Sequence, residues 1–186
     1  WSSDVCSSDL RVEIQDFTRK GKFQNINMKL VAGEITSIVG TNGSGREELC
    51  KAIYGVDHVD SGKLLLDGQE VRNWNVQKSI EKGFGLVPAE RKVEGLVGGM
   101  SAADNLSFIF EEDSKSGSII NPRKLKSVSE HWFEELDIRP RAPEKELERF
   151  SGGNQQKVVM AKWLKSEKLS VLILDHPLRE IGRAHV

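Results

Sequence analysis

Apolar and polar residues alternate in two stretches near the start of the chain, through Val12 and Ile14 and again through Ile26, Met28 and Leu30. A period of two sends successive side chains to opposite faces, so Arg11 to Phe17 and Phe23 to Val31 are predicted as short antiparallel strands at a sheet edge. After Gly33-Glu34 the alternation stops. Ile35-Thr36-Ser37-Ile38-Val39 is β-branched and almost continuous, which predicts a buried strand. A glycine-rich segment follows, and then Leu49, Ala52, Ile53 and Tyr54 recur at helical spacing up to a stop at Gly55.

Further along, Ser61 to Gly68 reads as a strand and turn, Val76 to Lys82 as a short amphipathic helix, and Gly85-Leu86-Val87 as a strand ending at Pro88. Ser101 precedes Ala102 to Leu106 as a helix N-cap. Glu111 to Asn121 is polar and predicts a loop, and Pro122 to Leu136 a helix with Leu125, Val128, Trp132 and Leu136 on one face. Pro140 and Pro143 break that helix. Another begins at Ser151-Gly152-Gly153, where Val158, Ala161, Trp163 and Leu164 alternate with Lys157, Lys162 and Lys165. The run from Leu169 to Leu174 is apolar and ends on Asp175, as a central parallel strand does when its C-terminal end faces a ligand. The mixture defines an α/β chain with an antiparallel edge sheet and a mostly parallel central sheet.

Candidate chemistry gathers where strands run into glycines. Gly40-Thr41-Asn42-Gly43-Ser44-Gly45-Arg46-Glu47 lies between a predicted strand and a helix and places its glycines as in G-x-x-x-x-G-K-S/T, whose backbone amides cradle phosphate. Arg46 replaces the lysine, bringing a planar fork rather than a point charge. Glu47 replaces the hydroxyl that binds Mg²⁺; a carboxylate can touch Mg²⁺ itself but repels a triphosphate. The competing reading is a glycine turn that binds nothing. Ser151, with the amides of Gly152 and Gly153 at a helix N-terminus, forms a second anion site, the plain alternative being an ordinary serine cap.

The string Phe150 to Leu164 resembles the signature motif of ABC-type ATPases. With Asn154-Gln155-Gln156-Lys157 attached, it is similar to the second, C-terminal ATPase half of ribose-, galactose- and xylose-type sugar importers. The likeness covers residues 11–179 and implies a P-loop NTPase fold with a helical subdomain at about residues 100–152. It implies ATP and Mg²⁺ as ligands. Gly40, Asn42, Gly43, Ser44, Gly45, Arg46, Glu47, Ser151, Gly152, Gly153 and Gln155 would serve the nucleotide. Asp175 would hold Mg²⁺, with Glu47 as a second candidate ligand. Arginine at position 46 is common in those C-terminal halves, and Glu90-Arg91-Lys92 matches their acidic-Arg-Lys loop. The family usually stacks adenine on an aromatic, for which Phe17 and Phe23 are candidates, with core the competing reading for both.

Several positions depart from the family pattern. Ala89 stands where a glutamine usually contacts Mg²⁺ and water, His176 where a glutamate acts as general base, Phe150 where leucine is usual, and Leu178 where threonine is usual. Loss of a positioned base typically costs about 10²–10⁴ in rate. The implied function is an ATP-binding domain energising import of simple sugars. Its signature would complete the ATP site of a partner, either an N-terminal ATPase half or a second copy, while its own site is degenerate. Implied partners are a membrane permease, and indirectly a periplasmic or lipid-anchored sugar-binding protein. Met100, Leu106, Phe108, Ile109 and Phe110 are candidates for permease packing or for subdomain core. Two other readings stay open: a half that binds nucleotide without hydrolysing it, and a soluble ABC protein of translation or DNA repair.

Composition narrows the classes further. In 186 residues, 27 Lys+Arg stand against 28 Asp+Glu, which gives no basic surface for nucleic acid. No apolar run reaches the roughly 18 residues that span a bilayer, so the expected place is peripheral, on the cytoplasmic face of the membrane. No signal peptide is visible and two cysteines supply no disulfide framework, as in a reducing setting. The two ends are related in an unusual way. Asp4 to Leu10 can be encoded by GAC GTG TGC TCT TCC GAT CTC, whose reverse complement encodes Glu180 to Val186. Such a pair resembles a ligated sequencing adapter, so residues 1–10 and 180–186, with Cys6 and His185, are expected to be foreign to the native protein.

Overall fold

The computed structural model describes residues 10–108, 115–116, 119–120 and 122–176. The chain forms two compact units that divide between Glu81 and Lys82. In the first unit, β1 (Leu10–Arg19) runs antiparallel to β2 (Phe23–Val31) on one side and to β3 (Ser61–Leu66) on the other, and β4 (Gln69–Glu70) completes the order β2-β1-β3-β4. Helix α1 (Arg46–Tyr54) and helix α2 (Val76–Glu81) belong to the same unit.

A bulge explains which β1 side chains reach the core. Val12 and Ile14 are buried as alternation requires, but the pairing with β2 slips between Ile14 and Phe17, and Asp16 adopts φ 52°. The extra residue returns Phe17, rather than Asp16, to the buried face. Gly62 makes room for the bulge, since a Cβ there would lie 2.7 Å from main-chain atoms of Gln15 and Asp16. Phe17 and Phe23 are 3% and 7% exposed, so the core reading of both rings holds and neither offers a face to a base.

The predicted strand at Ile35 to Val39 is a correction. These residues lie in irregular backbone, with Ile35 at 96% and Val39 at 93% exposure. A strand exists only where a neighbour takes up its N–H and C=O groups. Among the described residues no strand pairs with this segment. Apolar content supplies the tendency; the ladder is what is missing. The strands of the edge sheet and the helix that follows the glycines agree with the structure, whereas α2 buries Ser79 and leaves Ile80 exposed. Leu49, Ala52, Ile53 and Tyr54 are buried, and α1 stops at Gly55, whose φ of 87° is the left-handed cap that glycine accepts without penalty.

In the second unit β5 (Phe84–Val87) pairs in parallel with β8 (Val171–Leu174), from Phe84↔Val171 to Val87↔Leu174. Between them come α3 (Arg91–Glu94), α4 (Ala102–Ser107), a small ladder of β6 (Lys115–Ser116) with β7 (Ile119–Ile120), α5 (Pro122–Glu135) and α6 (Gly152–Leu164). The β6–β7 ladder corrects the expected loop over residues 111–121. Ile109 and Phe110 lie outside the described residues.

On α5 the buried stripe is not the one the hydropathy pattern selected. Ser129 and Phe133 are 0% and 2% exposed, whereas Leu125, Val128, Trp132 and Leu136 are half-buried. Ser129 Oγ donates to the Leu125 carbonyl at 2.7 Å, so its polarity is satisfied inside the helix and it can be covered. Phe133 meets Phe150 edge to face, with centroids 6.0 Å apart.

Two segments far apart in sequence zip together beside α4. Ala103 N donates to Pro143 O at 2.8 Å, Ala102 N to Lys145 O at 2.9 Å, Leu147 N to Met100 O at 2.9 Å and Glu148 N to Gly98 O at 3.2 Å. This ladder closes the neck of the α4–α5 excursion and delivers the chain to a 3₁₀ turn, Leu147–Arg149, just before α6.

Candidate nucleotide-binding site

The glycine-rich segment of the first unit forms an exposed turn, Gly40 to Ser44, that feeds α1 through Gly45. Gly43 (φ 78°) and Gly45 (φ 87°) occupy the left-handed region, which a side chain resists. Gly45 is also pinned in space: a Cβ there would lie 2.2 Å from the Lys22 carbonyl oxygen. The turn after β1 therefore rests on the start of α1, where Lys22 pairs with Glu48. That hydrogen bond is the main cause holding the Glu48 carboxyl below its ordinary range.

No side chain caps the N-terminus of α1. A helix N-terminus presents main-chain N–H groups and the positive end of the helix dipole, and both favour an anion. Arg46 donates to the Gly40 carbonyl at 3.1 Å, folding its guanidinium across the loop, and lies 3.9 Å from the Glu47 carboxylate. Glu47 is exposed, so the cradle carries a carboxylate at its rim. The backbone suits phosphate; the rim opposes it in part.

In the second unit, Asp175 and Pro88 emerge side by side at the C-terminal ends of β8 and β5, because Asp175 N donates to Val87 O at 2.9 Å. Open parallel sheets present their ligand-facing residues at this end. Asp175 is 3% exposed, and its Oδ1 lies 3.4 Å from Nδ1 of His176, which has φ 51°. Among the described residues no cluster of three or more His, Cys, Asp or Glu groups is placed to hold a metal. Asp175 alone fits Mg²⁺, which commonly takes one or two protein carboxylates and completes its shell with water and phosphate oxygens. Ala89 supplies a methyl group and no ligand. Leu178 and Arg179 lie outside the described residues.

The signature segment caps α6 in an unusual manner. Ser151 is the N-cap, yet its hydroxyl makes no capping bond; it accepts from Asn154 Nδ2 at 2.9 Å and remains exposed. A Cβ on Gly153 would meet nothing within 4 Å, so this face is open. Gln155 behaves otherwise than expected. It is 3% exposed and donates to the Phe150 carbonyl at 2.9 Å and the Glu148 carbonyl at 3.3 Å, fastening the 3₁₀ turn rather than facing outward. Asn154 is half-buried, its amide divided between donating to Ser151 Oγ and accepting from Arg139 N at 2.9 Å.

Two side chains matter here that the hydropathy pattern did not single out. Asn105, 2% exposed, accepts from Val97 N at 2.8 Å and donates to Val97 O and Ser101 O, both at 2.9 Å, which shapes the loop before α4. Lys162, which reads as part of a solvated face, is drawn inward on α6. The one available signal for Asn105 was its place four residues after a capping serine.

This arrangement is the ABC ATPase architecture: a P-loop NTPase fold with an antiparallel sheet, a parallel pair ending in an aspartate, and a signature helix. Residues 23–179 match the ABC transporter family model, and the chain belongs to that family. It is 37% identical over 173 residues to the ribose import ATP-binding protein RbsA of Halalkalibacterium halodurans, covering 93% of this chain and 34% of that protein. It is 35% identical over 178 residues to a putative ribose/galactose/methyl galactoside import ATP-binding protein of Rhizobium etli, covering 96% and 34%. The chain thus spans about a third of the length of the curated relatives it matches.

Among solved structures, cbiO1 from Clostridium perfringens, part of the cbiONQ transporter complex, superposes with a TM-score of 0.69 at 22% identity, covering 91% of this chain and 66% of that one. The dimeric cassette MJ0796, described as a bacterial ABC transporter cassette, gives 0.71 at 19% identity, covering 90% and 74%. At those identities the structures speak for the fold alone. No helix of the described residues is long and apolar enough to cross a membrane.

Proposed function

We propose that this chain is the nucleotide-binding part of a simple-sugar importer, equivalent to its second ATPase half, with a competent signature and a degenerate site of its own. The observation that carries the reading is a contrast between two anion-facing helix starts. At α6 the Ser151 hydroxyl is left exposed beside the open face of Gly153. At α1 an exposed Glu47 carboxylate stands where a Mg²⁺-binding hydroxyl belongs. The import ATP-binding proteins of 32–37% identity support the assignment to sugars.

In this reading Gly40 to Arg46 bind the phosphates of ATP through main-chain amides and the Arg46 guanidinium, which exchanges the Gly40 carbonyl for phosphate oxygens. Asp175 would hold Mg²⁺, whose chemistry when bound is to neutralise phosphate charge. His176, fixed beside Asp175, replaces a carboxylate base, so turnover at this chain's own site is slow. Ser151, Gly152 and Gly153 donate to the γ-phosphate of ATP held by a partner ATPase half or a second copy. The chain works at the cytoplasmic face of the membrane, docked on a permease. The weakness at Ala89 and His176 also favours a second reading, a half that binds nucleotide and hydrolyses none.

The test is Mg²⁺-dependent binding of a fluorescent ATP analogue to the chain and to Glu47→Thr. Because Glu47 is exposed, removing its charge is worth at most about 1 kcal/mol, or roughly fivefold tighter binding. Weak binding that tightens in the variant upholds the degenerate site. Tight Mg²⁺-dependent binding that the substitution leaves unchanged overturns it and makes this an active site in its own right.

A further inference from the structure

Lys162 lies on α6, eleven residues past the N-cap serine, within a run whose other lysines, Lys157 and Lys165, flank apolar positions. It does not reach for water. Its Nζ donates to the main-chain oxygen of Gly95 at 3.0 Å, 67 residues away in sequence, and lies 5.5 Å from the centroid of the Trp163 ring. Burial pulls its pKa down to about 8, the mark of an ammonium held out of solvent. Gly95 is the C-cap of α3, the short helix that carries Arg91 and Lys92 of the variant loop following β5. Carbonyls at a helix C-terminus lack partners within the helix and sit at its negative end, where a cation is favoured.

The same loop reaches the signature by a second route. Downstream of Gly95 it is joined through Gly98 and Met100 to Glu148 and Leu147, in the turn that leads into Ser151. Trp163, next to Lys162, donates to Leu86 O at 2.8 Å at the head of the loop. The loop over residues 88–100 is therefore tied to the signature element at its far end and, through Lys162, in its middle, while Trp163 holds the strand just before it.

We propose that Lys162 is a positioning residue that couples the loop over residues 88–100 to the signature helix, so that displacement of one displaces the other. Its charge and length are both used: the ammonium sits on a helix-terminal carbonyl that no shorter or neutral side chain at that position reaches with the same strength. The meaning of this coupling for transport rests on the functional reading above; the contact itself, and its test, do not.

Hydrogen exchange followed by mass spectrometry on the whole chain, without nucleotide, decides it. With Lys162→Met, peptides covering residues 92–98 and 150–157 are expected to exchange at least tenfold faster. Peptides from β1 and β3 should keep their rates, and Lys162→Arg should restore slow exchange in both regions. Acceleration confined to 92–98 overturns the coupling, since the loop would then be released without consequence for the signature. Uniform acceleration throughout the second unit overturns it too, because that is loss of fold stability alone, and so does no change. If Lys162→Met fails to fold, Lys162→Gln, too short to hold Gly95, carries the same expectations. Because no ATP is present, failure here is distinct from failure of nucleotide binding.

Discussion

Trp163 Nε1 donates to the Leu86 carbonyl at 2.8 Å, fastening the signature helix to the strand beneath it. The same ring lies against Gly85, where a Cβ would come within 2.9 Å of Trp163 Cδ2. One aromatic therefore sets both the height and the rotation of α6 over β5. Trp163→Phe keeps the apolar cover and loses the donor, which should cost about 1 kcal/mol. Gly85→Ala overpacks the contact and should cost about 1–3 kcal/mol. Urea unfolding checks both: midpoints should fall with unchanged slopes, and Gly85→Ala should fall further.

The two left-handed glycines of the turn before α1, Gly43 and Gly45, are expected to separate by mutation. Gly43→Ala meets no atom within 4 Å, so it bears only the cost of its positive φ, about 1–2 kcal/mol. Gly45→Ala adds a clash with the Lys22 carbonyl, a main-chain atom that cannot rotate away. Thermal unfolding should show Gly45→Ala well below Gly43→Ala, with loss of ATP-analogue binding in the former. Equal effects would mean that the turn after β1 does not support the loop.

Burial of Lys162 gives stability a pH dependence of definite sign. Below about pH 8 folded and unfolded chains both carry the proton, and the cost of burying the charge is present in full. Between about 8 and the ordinary value of 10.5 the folded chain has shed a proton that the unfolded chain still binds. Stability therefore rises with pH across that window, by up to about 3 kcal/mol. Tyr54, whose pKa burial raises to about 12, acts oppositely above its ordinary value of 10.0. Subtracting the pH profile of Lys162→Met isolates the lysine: the difference should climb between pH 8 and 10.5, and a flat difference would refute the assignment.

The sequence was most legible where one local rule decides the outcome. Ser101 caps α4 as its place before Ala102 predicts, accepting from Asp104 N at 3.0 Å. Gly55 ends α1, and the apolar run ending at Asp175 is a parallel strand, because cap chemistry and continuous hydrophobicity act within a few residues. What failed depended on a distant partner. Ile35 to Val39 has the composition of a strand, but no described strand pairs with it. Ser129 takes the centre of the α5 stripe because a carbonyl one turn back satisfies its hydroxyl, which hydropathy cannot register. Gln155 and Lys162 are polar by composition and inward by contact, each finding a main-chain carbonyl that sequence spacing does not disclose. The glycine-rich turn before α1 and the helix start at Ser151 were legible as strings; which side chains face outward was not.

The ladder joining residues 98–103 to 143–148 bears on how this part of the chain tolerates change in length. The excursion between its two sides begins and ends at the same place, so the signature takes its position from the neck together with the contacts that reach back to it, Phe133 against Phe150 and Arg139 N on Asn154. Lengthening a closed excursion costs little, about 0.6 kcal/mol for each doubling of a flexible loop. Insertions between Ala103 and Pro143 that leave Phe133 and Arg139 in contact with the signature should thus be absorbed locally. Length can change there while Ser151 keeps its address.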